Sequence, residues 1–443
     1  MPETLELANF AVEEALAAGA TQAEATCTIA ERFSAEARDT RIEKLQESTG
    51  RALSLRVFVG GAKAALGTSD LTRDGLRAYI RQAVDAARFV ADDPHAGLPE
   101  ANAAPSNDED LGIYADDVGA RAAEQKLEDA LSLEALVREY DPRIVNSSGA
   151  HVGDTRARIA LVNSHGFQGT YRSSSAQRSV GPIAQDGANK RVAGYGSAAR
   201  GYAALESTDA VATTAAARAV GMCGARKPGT MRCPVIFERD VAAQVLGDIF
   251  SALNAANVAA GNSFLAGKIG EIVGSPLATL IDDGRLYGGL GTSPFDSEGV
   301  PTRRTVVIES GKLQTFLYDT YNGRRLGAAS TGNASGGGIG PNNFYLEPGP
   351  DSLEELIAST QRGVLILDTI GFSTESVTGT YSRGARGFAI EKGERAYPID
   401  EFTIAGNLLE MLAGIDGVAN DLSFDSSIVA PSFRVAEMTI SGS

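Results

Sequence analysis

Apolar residues recur at helical spacing near the start of the chain, at Leu5, Ala8, Val12, Ala15 and Leu16, and the run stops at Gly19. That spacing puts them on one face of an amphipathic helix closed by glycine. The period then falls to two. Residues 23–29 read as a strand, and so do residues 52–59, where Leu53, Leu55, Val57 and Val59 alternate with Ser54, Arg56 and Phe58. Gly60-Gly61 turns the second strand into residues 63–66, which predicts a hairpin. Thr72 is placed to cap a helix whose Leu76, Ile80, Ala83, Val84 and Ala87 share one face. Asp92-Asp93-Pro94 ends that helix, and residues 97–110, rich in Pro, Asn, Asp and Ala, predict a linker.

A helical pattern over residues 120–140 opens the next region. It gives way to strands of small and polar residues, notably 157–162, which Asn163-Ser164-His165-Gly166 turns into 167–171. An alanine-rich helix is predicted over 209–220, and 221–234 is a crossing that carries Gly and Pro. Beyond it, glycine-punctuated strands dominate. Residues 279–281 meet Asp283-Gly284, and 304–309 meet Ser310-Gly311 before 312–318; both predict hairpins. Residues 387–390 and 395–399 flank Glu391-Lys392-Gly393-Glu394, a tight turn that needs positive φ at Gly393. Asn407 then caps a helix, with Glu410 placed for a capping box.

The pattern predicts an α+β protein: an N-terminal mixed α/β region, then a β-rich C-terminal domain with antiparallel sheets. Three regions are expected, at 1–110, 111–227 and 228–443. A chain of 443 residues, 43% hydrophobic, is long enough to bury more than one core. The net charge of −16, from 40 basic and 56 acidic residues, opposes direct contact with nucleic acid, because the basic residues do not cluster. Pro2, Glu3 and Glu6 do not resemble a signal peptide, and no apolar run is long enough to span a membrane. The cytoplasm is the expected compartment.

Candidate chemistry is sparse. Cys27, Cys223 and Cys233 are odd in number and do not form a C-x-x-C pair, so buried structural roles are expected. His95, His151 and His165 are isolated, and none is followed by Glu, so no zinc motif of the H-E-x-x-H kind can be read. Ser173-Ser174-Ser175 lacks a nucleophile elbow and reads as sheet-edge or loop serine. Asp282-Asp283, Asp296 with Glu298, and Asp400-Glu401 fall near turns or strand ends, where solvated charge is the default. Residues 331–340, TGNASGGGIG, lack the frame of a phosphate-binding loop. Gly336, Gly337 and Gly338 instead mark either a mobile loop or a backbone able to lie against a ligand or partner. Gly379, Tyr381, Ser382 and Arg383 form a polar patch that either pairs with an extended peptide or makes a sheet rim.

Motifs in order along the chain resemble the TldD/PmbA family, on its PmbA or TldE branch. They are LRVFVGG at 55–61, GARKPGT at 224–230, TSPFDSEG at 292–299, LGAASTGNASGG at 326–337 and the run 378–407. The catalytic TldD-type branch is known by an H-E-x-x-x-H helix, whose place here is the helical segment 239–260. That segment reads Val241, Ala242, Ala243, Gln244, Val245, Leu246, Gly247, Asp248, Ile249, Phe250, with no His-Glu pair. The same branch has a cysteine ligand near its C-terminus, where this chain has Ser427-Ile428-Val429-Ala430-Pro431. No metal or catalytic residue carries over.

The resemblance implies a heterodimeric, cytoplasmic zinc metallopeptidase acting on unfolded or extended peptides. In it a TldD-like subunit holds the zinc, and this chain, with no cofactor of its own, helps form the enclosing cavity. The older family label, modulator of DNA gyrase, then describes an indirect effect. The alternative from a different class is a stand-alone homodimeric peptide-binding or scaffold protein. An independent serine or carboxylate hydrolase is a third reading for which no constellation is legible.

Overall fold

The computed structural model describes residues 2–100, 110–371 and 374–442. Most of the predicted linker, 101–109, lies outside them. The strand Gln22–Arg38 is the hub of the first sheet. It pairs antiparallel with Arg41–Val59 on one side and with Ile144–Asn163 on the other. Ala62–Thr68 extends the sheet at one end, and Gln168–Asp186 with Asn189–Val192 and Tyr195–Ala199 completes seven strands at the other. The sheet therefore runs without a break across the 110/111 boundary, and both hydrophobic clusters on its helix-covered face draw residues from either side of it. Ala23, Ala25, Cys27, Leu53, Leu55 and Val57 pack under the helices Pro2–Ala17 and Arg73–Ala87. Further along the same strands, Phe33, Ala35 and Val152 pack under Ala123–Tyr140 and Thr208–Gly221.

Period-two alternation decides what the other face does. Odd-numbered residues of Gln22–Cys27 enter the helix-covered core, so Glu24, Thr26 and Thr28 share the opposite face, with Arg56 directly across from Glu24. That opposite face meets the C-terminal domain.

The C-terminal domain is built on a barrel. Met231–Phe237, Phe433–Ser441, Glu394–Asn407, Thr380–Glu391 and Arg362–Ile370 pair in turn, and the last closes back on the first. A second sheet orders Lys312–Leu313, Arg304–Glu309, Leu280–Asp283, Phe344–Leu346 and Ile428–Val429. The helix Arg239–Leu253 joins them through one continuous core, with Phe250 edge-on to Phe344 at 5.4 Å. Pairing is antiparallel as the short connections predict, except that Met231–Phe237 with Arg362–Ile370 and Phe344–Leu346 with Ile428–Val429 run parallel. Among the described residues, no helix is long and apolar enough to cross a membrane.

The predicted turns fare differently. Lys392 and Gly393 take φ of 55° and 79°, and Ser310 and Gly311 take 46° and 83°, so both are two-residue hairpin turns matched to strand twist. A Cβ on Gly311 would lie 2.2 Å from the Gly274 carbonyl oxygen, which makes glycine obligatory there. The hairpin expected at Asp283-Gly284 does not form. The chain leaves its strand at Gly284 and makes an excursion over residues 284–303 before the next strand. Its ends are pinched: the Gly284 N–H donates to the Arg303 carbonyl at 3.1 Å, and a Cβ on Gly284 would sit 2.4 Å from that of Thr302.

Candidate functional site

The glycine-rich segment is ordered into a small hairpin, Ala334–Ser335 against Gly338–Ile339, turning at Gly336 and Gly337 with φ of 56° and 91°. Buried amide side chains hold its base. Asn333 Nδ2 donates to Asp282 Oδ2 at 2.7 Å, and Asn342 donates to the same carboxylate through its backbone and its side chain. The Ala334 N–H donates to Asp296 Oδ2, and the Ser297 N–H donates to the Ala334 carbonyl. The hairpin is thereby strapped to the 284–303 excursion. The tip is free: nothing lies within 4 Å of a Cβ built on Gly336 or Gly337.

Two clefts flank this hairpin where the first sheet meets the C-terminal domain. One, of about 310 Å³, is lined by Gly336 together with Asp296, Asn333, Phe295, Thr26 and Thr28. The other, of about 280 Å³, is lined by Gly337 and Gly338 together with Arg56, Glu298, Tyr321 and Arg325. Between them lies a buried charge cluster. Arg56 donates to Glu24 at 2.8 Å and to Glu298 at 2.9 Å, and the second oxygen of Glu298 accepts the Thr320 N–H. Asp296 accepts from the amides of Glu298 and Val300 through one oxygen and from Ala334 through the other.

One guanidinium thus faces two carboxylates, with a third close behind. Burial pushes the Glu24 carboxyl up to about 7; Arg56 pulls it back, and Glu298 and Asp296 push it further up. Burial and then the charge of Glu298 push Asp296 up to about 7 as well. Asp282 rises to about 6 through burial, against the hydrogen bonds it accepts from Asn333 and Asn342. The solvated-charge reading of Asp282, Asp283, Asp296 and Glu298 is therefore corrected, since all four are buried. The partners of Asp282 and Glu298 lie 22 to 242 residues away in sequence, and no local pattern reports them. Asp400 lies within the strand Glu394–Asn407 and not at a turn or strand end, and half-buried there it accepts from Arg191 at 2.7 Å.

The second predicted set lies in the barrel and lines neither cleft. Thr380–Glu391 is paired on one side with Glu394–Asn407 and on the other with Thr374–Glu375 and Arg362–Ile370, so Tyr381 to Arg383 are not at a rim. Tyr381 is 1% exposed, and its hydroxyl has no hydrogen-bond partner among the described residues. Ser382 pairs with Ala405, and Gly379, with φ of 74°, accepts the Leu408 N–H at the start of the Asn407-capped helix. Arg383 is buried against the helix Arg239–Leu253, donating to Asp248 at 2.7 Å.

That helix is where the resemblance places a zinc motif. Its Gln244 and Asp248 are one turn apart, and the cation they face is the guanidinium of Arg383, with Thr369 on Gln244 and Thr374 on Asp248. Among the described residues, no group of three or more His, Cys, Asp or Glu side chains could hold a metal ion. An amide, one carboxylate and a fixed guanidinium do not fit zinc, which takes three protein ligands in a catalytic site. The remaining polar motifs are structural. Cys27 and Cys233 are buried and free. Ser174, expected at an edge, is 2% exposed and ties the Ala115 amide to the Arg200 carbonyl.

Comparison with known proteins agrees with this architecture. Models of the PmbA/TldA metallopeptidase match in three consecutive stretches: domain 1 at residues 23–87, the central domain at 116–222 and the C-terminal domain at 230–442. The metalloprotease PmbA homolog of Haemophilus influenzae is 33% identical over 99% of this chain and 96% of its own length. The metalloprotease PmbA of Escherichia coli is 31% identical over 93% and 90%. The chain belongs to the PmbA/TldD family of metallopeptidase-like proteins. Its structure resembles that of a proposed modulator of DNA gyrase from Bacteroides thetaiotaomicron, with a TM-score of 0.93, 27% identity and full coverage of both chains. It also shares the fold of TldE from Thermococcus kodakarensis, with a TM-score of 0.89, 23% identity and 99% coverage of each chain.

Proposed function

We propose that this chain is the non-catalytic, TldE-like subunit of a two-chain zinc metallopeptidase of the cytoplasm. Its TldD-like partner holds the metal, and the two enclose a cavity in which unfolded or extended peptides are cut. The observation that carries this reading is the helix Arg239–Leu253, where Arg383 supplies the cation and Gln244 and Asp248 are already bonded to it. A guanidinium cannot ionise water or polarise a scissile carbonyl as zinc does. What this chain can supply is shape: the clefts and the free glycine hairpin at the junction of its two sheets. Nucleic acid is not a partner in this scheme, given the acidic balance of the chain.

The test is zinc content and peptidase activity of the chain alone and mixed with a TldD-like subunit. A zinc-free, inert chain that forms a one-to-one complex and raises its partner's activity is the expected result. Stoichiometric zinc with cleavage by the isolated chain refutes it, and self-association with peptide binding but no partner favours a homodimeric binding protein.

A further inference from the structure

The cleft between the first sheet, the 284–303 excursion and the glycine hairpin has a composition that subunit assembly does not explain. We propose that it binds a primary ammonium group carried by a peptide, either a lysine side chain or a free amino terminus.

Asn333 is 2% exposed and lines the cleft. Its Nδ2 is committed to two acceptors, Asp282 Oδ2 at 2.7 Å and the Gly340 carbonyl at 3.0 Å. That fixes which way the amide points, and its Oδ1 is left buried with no hydrogen-bond partner among the described residues. A buried acceptor without a donor is destabilising, and a ligand N–H recovers that cost. The second acceptor is Asp296 on the same wall. Its carboxylate has about four lone-pair positions and uses three of them on backbone amides. Thr26 and Thr28 line the same space from the sheet.

Among the described residues no Lys, Arg or His lines this cleft, so an anionic ligand finds no counter-charge from them, whereas a cation meets Asp296. An ammonium has three donors and no acceptor, which matches a wall whose unpaired buried atom is an acceptor and whose charged side chain is a carboxylate. Phe295, edge-on to Tyr171 at 5.2 Å, and Leu161 supply an apolar flank for the carbon stem that carries the charge. A cleft of about 310 Å³ holds one side chain, not a folded domain. Binding here requires no catalytic partner, so the inference stands apart from the subunit reading.

The experiment titrates the full chain by calorimetry with three peptides: acetyl-Ala-Lys-Ala-amide, acetyl-Ala-norleucine-Ala-amide, and Ala-norleucine-Ala-amide with a free amino terminus. At least one ammonium-bearing peptide is expected to bind about tenfold or more tighter than the blocked norleucine peptide, the size of one charge-assisted hydrogen bond. Which one does so identifies the source of the ammonium. Thr28→Phe fills the cleft from the sheet while leaving both acceptor side chains in the sequence, and is expected to weaken that binding by a similar factor. Equal affinities for all three peptides, no binding by any, or undiminished binding by a folded Thr28→Phe chain overturns the proposal. The peptide comparison on the unaltered chain decides the matter even if the variant does not fold.

Discussion

Replacing Glu24 by glutamine tests the buried charge cluster through its proton linkage. The Glu24 carboxyl is pushed up to about 7 from an ordinary 4.5, chiefly because folding removes it from water. The folded chain therefore holds this proton to higher pH than the unfolded chain does. Below pH 4.5 both states are protonated and ionisation costs nothing. As pH rises towards 7, the unfolded chain releases the proton while the folded chain resists, so stability falls. At about 1.4 kcal/mol per pH unit, the gap amounts to a loss on the order of 3 kcal/mol above pH 7.

A glutamine amide cannot ionise, so the Glu24→Gln variant escapes this loss. Disruption of the contact with Arg56 shifts the variant's whole curve and drops out of the comparison between pH values. Urea unfolding followed by circular dichroism between pH 4.5 and 8.5 reads the difference directly. Relative to the parent, the Glu24→Gln chain is expected to gain on the order of 3 kcal/mol across that window. The residual slope shared by both chains is expected from Asp296, which is pushed up in the same direction. Parallel curves would mean that Glu24 is ionised in the folded state at all these pH values, and the picture of three carboxylates around one guanidinium would be wrong.

Other perturbations separate structural from functional residues. Arg383→Met leaves Asp248 largely buried without its counter-ion, which is expected to cost roughly 3–5 kcal/mol, and adding Asp248→Asn should recover part of it in thermal unfolding. Tyr381→Ala is expected to cost about 3–5 kcal/mol because the ring is 1% exposed, whereas Tyr381→Phe removes a hydroxyl that has no partner and should be neutral or stabilising. Gly337→Val meets no neighbour and pays only for its φ of 91°, about 1–3 kcal/mol, so activity of the assembled peptidase should fall more than stability. Gly311→Val, blocked by the Gly274 carbonyl, is the contrasting case and should prevent normal folding, as read from soluble yield.

The fold was legible where short-range pattern carries the information. Leu76, Ile80, Ala83, Val84 and Ala87 are the buried face of their helix, and Thr72 caps it as its position predicts. Lys392-Gly393 makes the turn its sequence demands. Strand length was not legible. Residues 41–49 are polar and largely exposed, so nothing in their period marks them as strand, yet they open Arg41–Val59 and form one long ribbon with residues 31–38, where Phe33, Ala35 and Ala37 are buried. What holds residues 41–49 is backbone pairing in register across the ribbon, from Glu31 with Thr49 to Arg38 with Arg41, which depends on the partner strand and not on their own side-chain hydrophobicity.

The clefts were half legible, and the missing half follows from the same physics. The glycines at 336–338 announce a backbone free to approach something, and they do border both clefts. The acids beside them announce solvent, because an isolated carboxylate in a turn belongs there. Asp296 and Glu298 escape that rule only because Arg56 arrives from 242 residues away and the Ala334 amide from 38. Position 24 shows how much rides on register. Glu24 falls on an even position of a strand whose odd positions face the helices, so it must face the C-terminal domain, and its cross-strand neighbour on that face is Arg56. A one-residue slip would put the charge into the apolar core and an alanine into the ion pair. The charge cluster is therefore a check on the pairing itself: the strand can close in this register, with its acid against the one guanidinium, or not bury that acid at all.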